Sequence, residues 1–170
     1  MKFKSPFTRL TFAVLFATFL ATAAGRFVTL TGAAANCAGW PLCAPVGSLG
    51  WLALGHRFAV GLAIALMLWL LRTAWRNYRE EPVLLPLTTV VTTLYFGQSL
   101  IGATQTLSGY PLHLRILHAL TAVSLWIGLA ALAYVSAVRS PEPKDYPAVG
   151  FRQRALDFLT LTKPIVVLLL

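Results

Sequence analysis

The chain has 170 residues, 58% hydrophobic and 11% charged, with 14 basic and 5 acidic side chains. Soluble domains carry about 25% charged residues, so 19 charges cannot tile a soluble surface of this size. The composition excludes a soluble enzyme, a disordered chain and a nucleic-acid-binding module, despite a net charge of +9, and it directs attention to a membrane.

A membrane-spanning helix needs about 20 largely apolar residues. Four stretches qualify. The first runs from about Leu10 into Gly25 and on towards Val28, and the second from Trp51 to Leu71. The third runs from about Val83 to Leu107, and the fourth from about Leu112 to Ala137. Leucine and alanine dominate and the alternation of a membrane barrel is absent. The predicted fold is therefore all-α, an integral membrane four-helix bundle.

The basic residues sort by side. Lys2, Lys4 and Arg9 precede the first helix, and Arg72, Arg76 and Arg79 separate the second from the third. Arg139, Lys144, Arg152, Arg154 and Lys163 follow the fourth, whereas the other two connections carry only Arg26 and Arg115. The positive-inside rule then predicts a multi-pass protein of the cell membrane with both termini cytoplasmic and the first connection on the outer face. Phospholipid binding is a weaker explanation of the same charge. The first helix also admits a second reading: a charged start, an apolar stretch and Ala21-Thr22-Ala23 together resemble a cleavable signal peptide.

Of three histidines, His56 lies about five residues into the second apolar stretch and His118 about six into the fourth. Both stretches run from outside to inside, so a rise of about 1.5 Å per residue places the two imidazoles at similar depth in the outer half. Two facing neutral imidazoles can hold a haem iron from its axial sides. Proton relay and plain packing are the alternatives. His113 reads as an exposed turn residue near the interface. Arg57 and Arg115 lie beside the histidines, where each fits either a haem propionate or a snorkelling side chain. Gln98 and Gln105, seven apart, share a helix face with Ser99 nearby, as interhelical glue or as a substrate contact. Gly55, Ala59 and Ala63 permit close approach of a helix or of a flat macrocycle.

Cys37 and Cys43 lie in the first outer connection, separated by Ala38-Gly39-Trp40-Pro41-Leu42. An oxidising face makes a disulfide plausible, as a loop staple or as a redox-active pair, and two thiolates without partners do not suggest zinc.

The order Val28-Thr29-Leu30-Thr31-Gly32, Cys37 to Cys43, Gly55-His56-Arg57-Phe58, Gln98-Ser99-Leu100-Ile101-Gly102-Ala103 and Leu117-His118 resembles the haem A synthase family. Members of that family have two four-helix halves, each with a histidine pair, one holding haem b as cofactor and the other haem O as substrate. The resemblance implies one such half over residues 10–137. It also implies His56 and His118 as axial ligands of the haem iron and Cys37 with Cys43 as the loop disulfide. A single half is expected to self-associate into a homo-oligomer or to serve one site only. The catalytic half of the family commonly carries a glutamate three residues before the helix-two histidine. That position is Ala53 here, so haem binding is better supported than haem oxidation.

Residues 138–156 read as a linker, with Ser140-Pro141-Glu142-Pro143 as its clearest signal. Residues 157–170, Asp157-Phe158-Leu159-Thr160-Leu161-Thr162-Lys163-Pro164 onward, resemble the start of haem O synthase, the protohaem farnesyltransferase. Within them Ile165 to Leu170, six apolar residues, read as the first turn of a truncated fifth helix. The prenyltransferase's aspartate-rich motifs are absent from these 170 residues. The expected function is oxidation of the haem O methyl group towards a formyl group for cytochrome oxidase assembly. The expected partners are haem, the lipid bilayer and a haem O synthase segment, and not nucleic acid. Alternatives are a non-catalytic haem-handover module, a membrane cytochrome b electron carrier and a helix bundle without cofactor.

Overall fold

A computed structural model describes residues 5–139 and 142–144, together with Leu156 and Thr160. Most of the expected linker and nearly all of the prenyltransferase-like segment, with Arg152, Arg154 and Lys163, lie outside the described residues, as do Lys2 and Lys4. Among the described residues there are four long helices and no strand: α1 Pro6–Thr31, α2 Gly47–Asn77, α3 Leu84–Leu107 and α4 Leu112–Arg139. A 3-10 turn, Ala33–Asn36, lies between α1 and α2. All four α-helices are long and apolar enough to cross a membrane.

The helix limits follow local chemistry. Pro6 stands in the first turn of α1, where its missing N–H costs nothing. Gly32 ends α1 in the left-handed conformation, with its N–H directed to the carbonyls of Thr29 and Val28. α2 is ten residues longer than its predicted 21-residue apolar stretch, reaching from Gly47 to Asn77. Apolarity marks the thickness of hydrocarbon, and a helix can continue past it as long as its polar side chains reach water. Arg72 and Arg76 do so on the last turns of α2. α3 and α4 match the predicted spans to within two residues. They are separated by Ser108-Gly109-Tyr110-Pro111, in which Gly109 and Tyr110 both have positive φ.

The helices form a ring in chain order. α1 packs most extensively on α2 and α3 on α4, while α2–α3 and α1–α4 contacts close the bundle. Its interior is dense at the end that holds the α2–α3 connection. Phe7 meets Tyr78 with ring centroids 4.9 Å apart, and Val14, Met67, Leu70, Leu84, Val91, Leu129 and Leu132 are fully buried. The buried threonine hydroxyls here are satisfied within the bundle, whereas the buried Ser5 hydroxyl has no partner among the described residues. Thr8 donates to the Ser136 carbonyl at 2.8 Å, tying α1 to α4. Thr11, Thr18, Thr88 and Thr92 each donate to the carbonyl four residues back, the arrangement an apolar surrounding favours.

The outside of the ring is apolar. Phe16, Phe58, Trp69, Ile127 and Tyr134 are all more than 60% exposed. Such a surface is far larger than the apolar patches that soluble monomers tolerate, and it fits contact with lipid. The chain is built as a multi-pass membrane protein. Outside the spans, Glu81 pairs with Arg139 at 3.7 Å and Glu80 with Lys144 at 3.0 Å. The Lys144 backbone N–H also donates to the Asn77 carbonyl at 3.0 Å.

Candidate haem-ligand site

The opposite end of the bundle is assembled differently. Here the α1–α2 connection folds over the helix ends. Val46 N–H donates to the Asn36 carbonyl at 2.9 Å, which returns the chain to the start of α2. Gly50 makes this possible, because a Cβ at that position would fall 2.6 Å from the Asn36 oxygen. Cys37 and Cys43 are joined within the loop, with Cα atoms 5.3 Å apart, a normal separation for a disulfide. Cys37 is fully buried against Ala33, Ala53 and Leu54. The Trp40–Pro41 peptide is cis.

Arg57 fastens this loop to α2. Its guanidinium donates to the carbonyls of Gly39 at 2.7 Å, Cys37 at 2.9 Å and Pro41 at 3.4 Å. The planar fork of an arginine suits several fixed acceptors at once, and here the acceptors belong to the loop. Arg115 stands apart from it: the residue is exposed on the first turn of α4. His113 is likewise exposed on that turn.

His56 and His118 are both half-buried in this loosely filled end. With α2 beginning at Gly47, His56 lies about two and a half turns into its helix and His118 under two turns into α4. Each ring rests on a glycine of the preceding helix. A Cβ added to Gly25 would lie 2.8 Å from Cε1 of His56, and one added to Gly102 would lie 3.2 Å from Cε1 of His118. Each ring also meets the residue one turn before that glycine. The Nδ1–H of His56 donates to the Ala21 carbonyl at 3.0 Å. A carbonyl only accepts, so this bond puts the proton on Nδ1 and leaves the Nε2 lone pair for a ligand. His118 Nε2 meets the Gln98 amide at 3.2 Å, and Thr121 donates to the far side of the same amide. Nδ1 of His118 is buried and unpartnered among the described residues.

The polar face expected on α3 divides. Gln98 joins the histidine, whereas the Gln105 side-chain oxygen is buried without a partner. Ser99 donates back to Tyr95 of its own helix. The small residues of α2 divide as well: Ala63 is fully buried, whereas nothing lies within 4 Å of a Cβ built on Gly55. Ala53 is buried under the loop. Gly25, Ala21 and Thr121 escaped the sequence reading. Thr121 was discoverable as the residue three after His118 on a helix, but nothing in one sequence pairs Gly25 with His56. Two half-buried imidazoles, one with its Nε2 left free, thus stand on α2 and α4, and the exposed Gly55 beside His56 has nothing within 4 Å of a built Cβ.

No family model matches the chain. It is 31% identical over 133 residues to "Protoheme IX farnesyltransferase" of Haloquadratum walsbyi, covering 75% of this chain and 28% of that protein. It is 31% identical over 183 aligned positions to the protein of the same name from Roseiflexus castenholzii, covering 95% of this chain and 34% of the other. "Heme A synthase" of Geobacillus thermodenitrificans is 28% identical over 134 residues, covering 76% of this chain and 42% of that protein. The chain thus spans about a third of the length of the farnesyltransferase relatives and under half of the haem A synthase relative. With some 30% identity to both groups, the chain is similar over part of their length to proteins named heme A synthase and to proteins named protoheme IX farnesyltransferase.

Proposed function

We propose that the chain is a membrane haem-binding module of haem A and haem O biosynthesis, with His56 and His118 as the axial ligands. The observation that carries this is the engagement of His56, whose Nδ1 is held by the Ala21 carbonyl and whose Nε2 is free. Backbone support behind an imidazole is the usual way a protein orients a metal ligand. The residues fit the group: the Ala21 bond leaves Nε2 of His56 free, and nothing lies within 4 Å of a Cβ built on the adjoining, exposed Gly55. Haem, once held, supplies the oxygen and electron chemistry. The chain orients two imidazoles, excludes water with the loop that Arg57 holds, and leaves Arg115 exposed for a propionate. Haem b is the expected resident group and haem O the expected substrate, with the ring methyl as the site of oxidation. The charge distribution supports both termini in the cytoplasm and the Cys37–Cys43 loop, as a disulfide, on the outer face.

A second reading, haem handover without oxidation, has two supports. Ala53 stands where a catalytic carboxylate is expected, and it is packed against Cys37 and Ala33. The Roseiflexus castenholzii alignment covers 95% of the chain, against 76% for the Geobacillus thermodenitrificans protein. Coverage that high necessarily takes in most of the residues after α4. It supports the division into a haem A synthase-like bundle (10–137), a linker (138–156) and a prenyltransferase-like start (157–170).

Optical spectra of the purified protein, oxidised and reduced, test the haem reading. A low-spin component altered by His56→Ala and by His118→Ala is expected, and a protein that takes up no haem overturns it. Co-expression with a haem O producer separates the two roles. Haem A or its hydroxylated precursor in the extract supports oxidation, whereas unchanged haem O supports handover. If the carboxylate alone is missing, Ala53→Glu gives product.

A further inference from the structure

The two imidazoles are seated alike and engaged differently. Both rest on a glycine of the preceding helix, Gly25 or Gly102, and both find a partner one turn earlier, at Ala21 or Gln98. His56 is gripped at Nδ1, away from the atom that would bind iron. His118 is gripped at Nε2 itself. The Gln98 amide serves there in either orientation. Its NH2 can donate to Nε2 while its oxygen accepts from Thr121. Turned over, its oxygen accepts from an Nε2–H and its NH2 donates to Thr121, whose own proton then goes to the Leu117 carbonyl at 2.9 Å. In both cases Gln98 occupies Nε2, the counterpart of the nitrogen that His56 leaves free.

We propose that Gln98, anchored by Thr121, is a positioning residue that competes with haem iron for Nε2 of His118, so that His56 is the permanent axial ligand and His118 the releasable one. This rests on the haem reading above. A releasable ligand on one side admits a small diatomic ligand to that face of the haem. An electron carrier with two fixed imidazoles admits none.

The test uses the full chain purified with haem b, with carbon monoxide as the probe of the reduced form. Wild type is expected to take up carbon monoxide. Gln98→Leu removes the competitor and is expected to lower that affinity about five- to tenfold, the weight of one hydrogen bond, and to shift the oxidised spectrum towards low spin. Thr121→Val, a smaller change to the packing, moves both readouts the same way by less. His118→Ala keeps haem and takes carbon monoxide, whereas His56→Ala loses haem on gel filtration. Haem-loaded Gln98→Leu and Thr121→Val proteins with unchanged affinity and spin state overturn the inference and leave the haem reading intact. So does a low-spin wild type that binds no carbon monoxide. A wild type without haem removes both.

Discussion

The two ends of the bundle are made from the same four helices and the same kinds of residue, yet one is filled and the other is furnished. At the α2–α3 end, Phe7, Met67, Leu70, Tyr78, Leu84, Leu129 and Leu132 leave almost no exposed surface. At the loop end, the fully or nearly buried side chains are mostly small, namely Ala33, Cys37, Ala53 and Ala103, with Leu54 beside them. The polar groups there are imidazole, amide and guanidinium, with the Thr121 hydroxyl bonded to the amide. A bundle that stabilised itself evenly along its length would leave no room between its helices. Concentrating packing at one end frees the other for specific polar contacts, and the candidate ligands sit at that freed end.

This division can be broken by substitution. The largest effect is expected from Phe7→Ala, which empties the contact with Tyr78 and should cost about 3–5 kcal/mol, read from unfolding in detergent. Leu129→Ala, in the same filled end, should cost about 2–5 kcal/mol. Leu120→Ala, 61% exposed at the other end of α4, should change stability by less than about 0.5 kcal/mol. Equal losses at Leu129 and Leu120 would erase the distinction between the ends. Arg57→Ala releases three loop carbonyls and should cost about 1.5–3 kcal/mol locally, seen as faster amide exchange across Cys37–Cys43 with the lower bundle unchanged. Gly25→Ala forces a methyl to within 2.8 Å of His56 and should cost about 1–3 kcal/mol, with haem retention falling further than stability. Gly55→Ala is its control, because the space there is open. The smallest effect belongs to Glu80→Gln, which removes an exposed pair with Lys144 worth about 0–1 kcal/mol.

The bundle was legible in the sequence because hydrocarbon thickness imposes a length that 20 apolar residues announce. The ends of α1 and α2 were not, since Pro6 and the stretch from Arg72 to Asn77 extend helices past the apolar limit, where hydropathy no longer marks the helix. His56 and His118 were visible in the sequence as two histidines inside apolar stretches, and the structure seats each on a glycine of the preceding helix. The use of Arg57 was not visible there. Loop carbonyls are present in every sequence, and only the fold shows that those of Cys37, Gly39 and Pro41 converge on one guanidinium. Gln98 was visible as a polar residue on α3, but its partner depended on how α3 and α4 are rotated, which local periodicity does not fix.

Arg57 follows His56 directly, so the α1–α2 loop and the candidate ligand hang from one turn of one helix. A force or a chemical change applied to the loop therefore reaches the imidazole through a single peptide unit, without crossing the packed interior. Reducing the Cys37–Cys43 link would slacken the acceptors that Arg57 holds, and the first residue to feel the loosened guanidinium would be its immediate neighbour. The α1–α2 loop and the candidate ligand are thus neighbours through the backbone as well as through the fold.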